Sequence, residues 1–364
     1  MNNRLFVDIH VLQTVPPSCI NRDDTGSPKI AIYGGVTRAR VSSQCWKRAV
    51  RLMFKDLYPD EQLAYRTKRI VDMVANEIRS LDANADAEAM ATAILKSAGL
   101  KIKDSEKTTS ALFFMSMAQA KALARLALED PETVQKSPSK EAKQKVIRTL
   151  NEYPGIEIAL FGRMVADEPS LNTDACAQVA HSISTHRVTN EYDYFTAVDD
   201  LSPEDSTGAG HIGTVEYNSS TLYRYATVAV HALGEHLEDE TATAVKNFVY
   251  AFVCSMPDGK QNTFANRTLP DAVMVTLRRN QPINLVGAFE QAVPPSEKGY
   301  VLESAKRLAT HAKSVYENFA GYPLLSLTTG APLAETGIGE TVTLDELLVI
   351  LEHKVVTELW GENK

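Results

Sequence analysis

The chain has little of what marks a secreted, membrane-bound or metal-held protein. Its four cysteines, Cys19, Cys45, Cys176 and Cys254, are far apart with no CxxC pair, which fits neither a disulfide framework nor a zinc site. They are expected to be reduced, mostly buried thiols. The apolar run at residues 5–12 is interrupted by Asp8 and His10, too short and too polar for a signal peptide or a membrane span, and this points to the cytoplasm. There is no nucleotide-binding glycine loop, nucleophile elbow, internal repeat or low-complexity tract. Excess positive charge is missing too. With 38 Lys+Arg against 46 Asp+Glu, a net charge of −8 and a pI of about 5.6, a surface attractive to nucleic acid everywhere is excluded, so any anion site must be local. What is present, 364 residues that are 44% apolar and 23% charged, suffices for one elaborated domain or two.

Leu5, Val7, Ile9 and Val11 alternate with Phe6, Asp8, His10 and Leu12, the period of a strand buried on one face. Ser42 and Ser43 offer N-cap oxygens to a helix running toward Tyr58, and Pro59 marks a boundary. From there to Leu171 strand signals nearly vanish while Ala, Leu, Met and Lys dominate, which predicts an inserted helical region. Residues 189–220 carry Tyr192, Tyr194, Phe195 and Val198 on one arm and Ile212, Val215 and Tyr217 on the other, around a turn-rich 202–210, so a long hairpin is expected. A strand over 222–231, a helix over 245–256, a strand over 272–277 and a last helix opened by the Thr343/Glu346 capping box complete an α+β pattern.

The strongest physical signal lies between Lys29 and Arg51. Six basic residues (Lys29, Arg38, Arg40, Lys47, Arg48, Arg51) occur there without one acid. Gln44, Lys47, Arg48 and Arg51 stand at i, i+3, i+4 and i+7, one helix face, with Cys45, Ala49, Leu52 and Met53 on the opposite stripe. Backbone N–H groups and the helix dipole at Ser42 and Ser43 suit phosphate oxygens. A solvated helix face explains the pattern equally well on composition alone. Tyr194 and Phe195 allow either base stacking or burial, with burial favoured. Asp23, Asp24, Asp199 and Asp200 fall in turn-rich stretches where acids face water, so no metal site is expected. His181 and His186, five apart on an expected helix, do not share a face. Lys136, Lys140, Lys143, Lys145 and Arg148 cluster in the insert, where a solvent face is the plainer reading.

Six segments in order, PSCINRDDTG (17–26), AIYGGVTRARVSSQCWKRAVR (31–51), EIALFGRM (157–164), DYFTAVDDL (193–201), HIGTVEYNSSTLYRYA (211–226) and GKQNTFANRT (259–268), resemble the CasC family, the backbone subunits of type I-E CRISPR Cascade complexes. The resemblance spans most of the chain; the insert and the last sixty or so residues share only length and pattern. It implies a right-hand shape: an RNA-recognition-motif-like (ferredoxin-like) palm, a helical fingers insertion and a β-hairpin thumb. The parts would be palm at 1–58, fingers at 59–171, palm at 172–188, thumb at 189–221 and palm again at 222–364.

The family implies a non-catalytic protein that binds CRISPR RNA without a cofactor. Copies of the family's subunit, usually six, line up head to tail in an open filament along the guide spacer. Each thumb is thought to push one nucleotide out, leaving the intervening bases displayed for pairing with target DNA. Further partners implied are the other Cascade subunits and a separate helicase-nuclease. By position, Arg22, Lys29, Ser42, Gln44, Lys47, Arg48 and Arg51 match the phosphate-binding loop and helix. Met164 matches a wedge at the finger base, Phe195 with Thr196 the thumb site, and Lys260 and Gln261 a further RNA-facing loop. Tyr194 departs from the family, where a tryptophan is more familiar. Lys136, Lys140, Lys143 and Lys145 resemble finger lysines that touch target DNA. A second reading is a type III-like backbone subunit that cuts bound RNA through an acid after the first strand, where Asp23 and Asp24 stand. A third is a free-standing monomeric RNA-binding protein.

Overall fold

The computed structural model describes residues 4–103, 105–197, 201 and 211–361. The chain enters on β1 (Phe6–Ser18), turns through β2 (Ile30–Tyr33) and β3 (Val36–Val41), and continues into α1 (Ser43–Leu57). Then follow β4 (Ala64–Thr67), α2 (Ile70–Leu81), α3 (Ala87–Ser97), β5 (Ile102–Lys103), β6 (Thr108–Thr109), β7 (Phe113–Ser116), α4 (Met117–Glu129), α5 (Lys140–Glu152) and α6 (Gly155–Phe161). Next come β8 (Ala177–Val179), β9 (Ser182–Ser184), β10 (Glu191–Ala197), β11 (His211–Ala229), α7 (Val230–Leu237), α8 (Thr241–Cys254) and α9 (Gln261–Phe264). The chain closes with β12 (Ala272–Arg278), α10 (Val301–Val315), β13 (Leu325–Thr329), α11 (Ala331–Ala334), β14 (Glu340–Thr341) and α12 (Leu344–Trp360). This is a mixed α+β protein with a large central sheet. Among the described residues no helix is long and apolar enough to cross a membrane.

Two compact units form. The first comprises residues 1–50, 179–227 and 248–364, the second 51–178 and 228–247. The first is built on the sheet, in the order β14-β13-β12-β1-β11-β9-β3-β2, with β10 paired to the outer half of β11. β1 and β12 run antiparallel with Ile9 opposite Val275 and His10 opposite Met274. One face of β1 presents Val7, Ile9 and Val11, all fully buried. The other face was expected in solvent, yet Asp8 and His10 are also buried. Its cover is α10, whose Ala305, Leu308, Ala309 and Ala312 pack with Leu12, Met274, Tyr223 and Tyr225. The two polar side chains stay there because the sheet brings them partners. Tyr225 Oη donates to Asp8 at 2.8 Å, the Ile283 N–H donates to the same carboxylate at 3.0 Å, and His10 Nδ1 meets Tyr223 Oη at 2.9 Å. Opposite Phe6 on β12, Arg278 lies 3.7 Å from Asp8.

Arg224 is buried on the other side of the sheet. Its guanidinium stacks 3.8 Å from the Trp46 ring and 4.6 Å from Phe252, and it donates to Gln13 Oε1 and to the Phe252 carbonyl. Trp46 in turn donates to Ser182 Oγ at 2.8 Å. The buried stripe of α1 is therefore Trp46, Ala49, Val50 and Phe54, while Leu52, expected inside, is exposed. His181 and His186 flank strand β9, not a helix. His186 lies flat on Tyr300, centroids 3.6 Å apart, and accepts from the Thr221 N–H at 3.0 Å.

The second unit is a helical packing of α2, α3, α4 and α5. Ile70, Val71, Val74, Ala75 and Ile78 put the apolar face of α2 against Ala91, Ile94, Leu95, Leu123 and Ala124. A Ser116/Gln119 capping box opens α4, and its partner carbonyls come from Leu150 and Tyr153. Strands are present here against expectation: β4 pairs antiparallel with β7, and β5 with β6. They are only two to four residues long, and β7 reads FFMS, which carries no alternation for a sequence pattern to detect.

Burial lifts the Asp8 carboxyl from its ordinary 3.8 to about 6 against the pull of its hydrogen bonds and Arg278. The folded state thus holds this proton more tightly than the unfolded chain. Wild type should gain stability relative to Asp8→Asn as pH falls from about 6 to about 4. At about 1.4 kcal/mol per pH unit the gain is about 3 kcal/mol, read as the pH dependence of the difference in urea unfolding free energy.

Candidate nucleic-acid interface

Three segments distant in sequence meet in the first unit. The loop after β1 is tied to the start of α1, since the Ser42 N–H donates to Asn21 Oδ1 at 2.8 Å. Lys29 N–H reaches the Asn21 carbonyl at 2.9 Å and Arg40 N–H the Lys29 carbonyl at 2.9 Å, so the loop folds back on β3. Gly259 packs so closely on Ile20 that a Cβ would stand 2.3 Å from its carbonyl oxygen, which seats Lys260 beside the loop. Lys260 itself adopts the left-handed conformation with φ 53°.

The two thiols report the charges. Burial pushes the Cys19 thiol up and the Glu216 and Asp23 carboxylates add to it, while Arg22 and Lys260 pull it down. Burial and the Asp258 carboxylate push Cys45 up to about 11 against Lys29 and Arg48. Cys45 Sγ lies 3.9 Å from the Ile20 carbonyl. Arg22 and Lys260 therefore lie near Cys19, and Lys29 and Arg48 near Cys45, interleaved with the carboxylates of Asp23, Glu216 and Asp258; Gln44 and Gln261 are exposed, Lys47 half-buried and Ser42 buried. The Ser42 hydroxyl accepts from the Cys45 N–H and caps α1.

The basic run is not a uniform surface. Arg38 is fully buried and donates to the carbonyls of Ser184 and Phe289 at 2.9 Å each. Arg51 belongs to the second unit, where Nε pairs with Glu157 at 2.6 Å, Nη2 donates to the Ala64 carbonyl, and the guanidinium lies 4.6 Å from the Phe114 ring. Expected on the solvent face, Arg51 is bound into a core by a carboxylate 106 positions away. Arg40 contacts His181 Nδ1 at 3.1 Å, an exposed pair that no spacing in the sequence marks.

The hairpin forms between β10 and β11, in register from Glu191 opposite Tyr217 to Ala197 opposite His211. Tyr192 and Tyr194 are exposed on one face; Phe195 is 40% exposed on the other, lying across Gly213, where a Cβ would stand 2.4 Å from the ring. Thr196 beside it is exposed. Val198, Asp199, Asp200 and the expected tip at 202–210 lie outside the described residues. Tyr217 meets Phe264 with centroids 5.8 Å apart, an aromatic pair that sequence reasoning missed because its halves are 47 positions apart.

In the second unit Met164 is 85% exposed. It is displayed because Arg163 is buried and donates to the carbonyls of Leu171, Phe114 and Leu150. Lys136, Lys140, Lys143 and Lys145 are exposed, and Lys145 pairs with Asp130 at 2.8 Å. Asp23 is used within its own loop, accepting from Thr25 Oγ1 at 2.7 Å, the Thr25 N–H at 2.9 Å and the Ser27 N–H at 3.0 Å. The hydroxyl bond first, then the backbone donors, hold its carboxyl below the usual range. Among the described residues no three His, Cys, Asp or Glu cluster as a metal site.

Residues 7–349 match the model of the CT1975-like protein family. The chain belongs to that family. It is also similar to a chain of a CRISPR RNA-guided surveillance complex, pre-nicking, with 36% identity, a TM-score of 0.79, and coverage of 95% of this chain and 100% of the other. A chain of a second CRISPR RNA-guided surveillance complex is 29% identical with a TM-score of 0.62, covering 95% and 99%. No curated protein matches the chain. Family and likeness together support the resemblance to a Cascade backbone protein seen in the six segments.

The Arg51–Glu157 pair separates a structural cation from the exposed ones. Arg51→Glu sets two carboxylates together at a site where Glu157 is only 3% exposed, and should lower stability by about 3 kcal/mol. Arg48→Glu, on the exposed side, should stay within about 0.5 kcal/mol of wild type. Thermal melts of the two variants check this contrast.

Proposed function

We propose that this member of the CT1975-like family is a non-catalytic backbone subunit of a type I-E Cascade surveillance complex, binding the CRISPR RNA through the first unit's cation cluster. The observation that carries the reading is the meeting of Arg22, Lys29, Arg48 and Lys260 from three chain segments, which outnumber the neighbouring Asp23, Glu216 and Asp258 in a protein of net charge −8. Such a local concentration suits a ribose-phosphate backbone, whose charges it meets without making the whole surface adhesive. Ser42, Gln44, Lys47 and Gln261 add polar contacts along the same track. The sheet acts as an RNA-recognition-motif-like palm, the helical unit as fingers and the β10–β11 hairpin as thumb.

Phe195 supplies an exposed ring for displacing a base, and the Gly213 floor keeps that ring flat against the hairpin. Met164 is a second exposed apolar side chain able to intrude between bases. Copies of the chain repeat these contacts along the guide, about six in a complex, in the cytoplasm, and the displayed bases pair with target DNA. Lys136, Lys140 and Lys143 form a weak DNA-facing surface, from which Lys145 is partly withdrawn by Asp130. Cleavage is left to a separate helicase-nuclease. The three donors on Asp23 support a loop-building role over the type III-like reading in which it would hold a metal.

The Lys47→Glu, Arg48→Glu double variant should purify folded with its guide RNA lost, measured as nucleic acid copurifying with the intact complex. RNA retained at the wild-type level would remove this cluster from the interface. Asp23→Ala should leave bound RNA intact in Mg²⁺ as in EDTA; metal-dependent RNA cutting by wild type, abolished in Asp23→Ala, would favour the nuclease instead. Phe195→Ala should weaken base displacement by about 1 to 3 kcal/mol per copy, seen as loss of the periodic pattern in chemical probing of the guide.

A further inference from the structure

A cleft of about 640 Å³ opens in the second unit, apart from every residue assigned to RNA above but sharing Lys136 and Lys143 with the proposed DNA-facing surface. One wall is α3, with Ala89, Met90, Thr92, Ala93, Lys96 and Ser97. The other wall is the segment 134–138 with Lys143 of α5, and Lys107 closes one end. Four of its lining residues are lysines, Lys96, Lys107, Lys136 and Lys143, and none is an acid, in a protein where acids outnumber bases by eight. The grouping is not the one in sequence. Lys145 turns to Asp130, and two lysines from positions 96 and 107 take its place.

The walls differ from a solvated lysine face in two ways. Met90, Ala93, Val134 and Pro138 make part of the lining apolar, so there is a floor as well as a charged rim. Lys107 moreover holds a left-handed backbone, φ 52°, at the turn between β5 and β6, a conformation uncommon for lysine that presents it at the rim.

The geometry points to a nucleotide site: a base lying on the Met90/Ala93/Val134 floor, with its phosphates on Lys107, Lys136 and Lys143 at the rim. The volume falls in the range of small-ligand clefts, about 300 to 1,000 Å³. Phosphates alone would need no apolar floor, and a duplex backbone would ride over the rim. The nucleotide is either free or an unpaired unit of a single strand, since both present the same base and phosphate.

The test uses the full chain and the fluorescent probe N-methylanthraniloyl-ATP. Saturable binding is expected, displaced by ATP at least tenfold more effectively than by tripolyphosphate or adenosine alone. Lys136→Glu with Lys143→Glu, both exposed, should weaken binding at least tenfold without altering the melting temperature or the copurified RNA. Ala93→Phe should do the same by filling the floor without touching charge. In case Ala93→Phe does not fold, hydrogen exchange of wild type with ATP should show protection at 89–97 and 134–138. A short oligodeoxythymidylate that displaces the probe below the ATP concentration identifies the strand as source, and the reverse order identifies free nucleotide. The proposal is overturned by absence of saturable binding, by tripolyphosphate matching ATP, by a folded Ala93→Phe that binds like wild type, or by protection confined to other segments.

Discussion

Arg224 carries a positive charge under the central sheet with aromatic rings as its neighbours instead of a carboxylate. Trp46 from α1 and Phe252 from α8 enclose it, and Gln13 from β1 and the Phe252 carbonyl accept its hydrogens. Burial pulls the group down to about 9, so its charge is kept by what surrounds it. The arrangement joins β1, β11, α1 and α8 at a single side chain. A guanidinium flat between two rings gains from cation–π attraction while its edge donors remain available for oxygen, which an ammonium could not reproduce.

The cation cluster depends on that joint. Trp46 sits one residue before Lys47 and two before Arg48, so the orientation that sends the indole under the sheet turns those cations outward. Residues 19–29 are then fixed against α1 by the Asn21 to Ser42 bond, and residues 258–261 against Ile20 by the bare Cα of Gly259. Nucleic-acid affinity in an acidic protein requires such convergence, because scattered cations among more numerous acids leave no net attraction beyond a Debye length of about 8 Å.

The two units treat their buried cations alike. In the first, the buried ones, Arg38, Arg224 and Arg278, find carbonyls, rings and Asp8. In the second, Arg51 and Arg163 do the same work around Phe114 and Glu157, and the lysines are left outside. Arginine's several fixed donors suit closing networks of carbonyls, and lysine's compact, strongly hydrated charge suits a surface. That division of labour explains how a basic stretch of sequence can become half core and half exposed surface.

The sequence by itself determined what depends on near neighbours. The alternation in β1, the helical composition of the insert, the Thr343/Glu346 box of α12 and the arms either side of the turn-rich 202–210 follow from local composition and spacing, and each was legible. The clustering of basic residues at 29–51 was legible as density. Which of them face solvent was decided only by tertiary structure, because the partners that bury Arg38 and Arg51 lie at 184, 289 and 157. The burial of Asp8 and His10 behind α10, the convergence of Lys260 on Arg22, the Tyr217–Phe264 pair and the regrouping of Lys96 and Lys107 with Lys136 and Lys143 are of the same kind. A side chain's exposure is a property of what packs against it, and packing partners are chosen by the fold at distances along the chain that no periodicity spans.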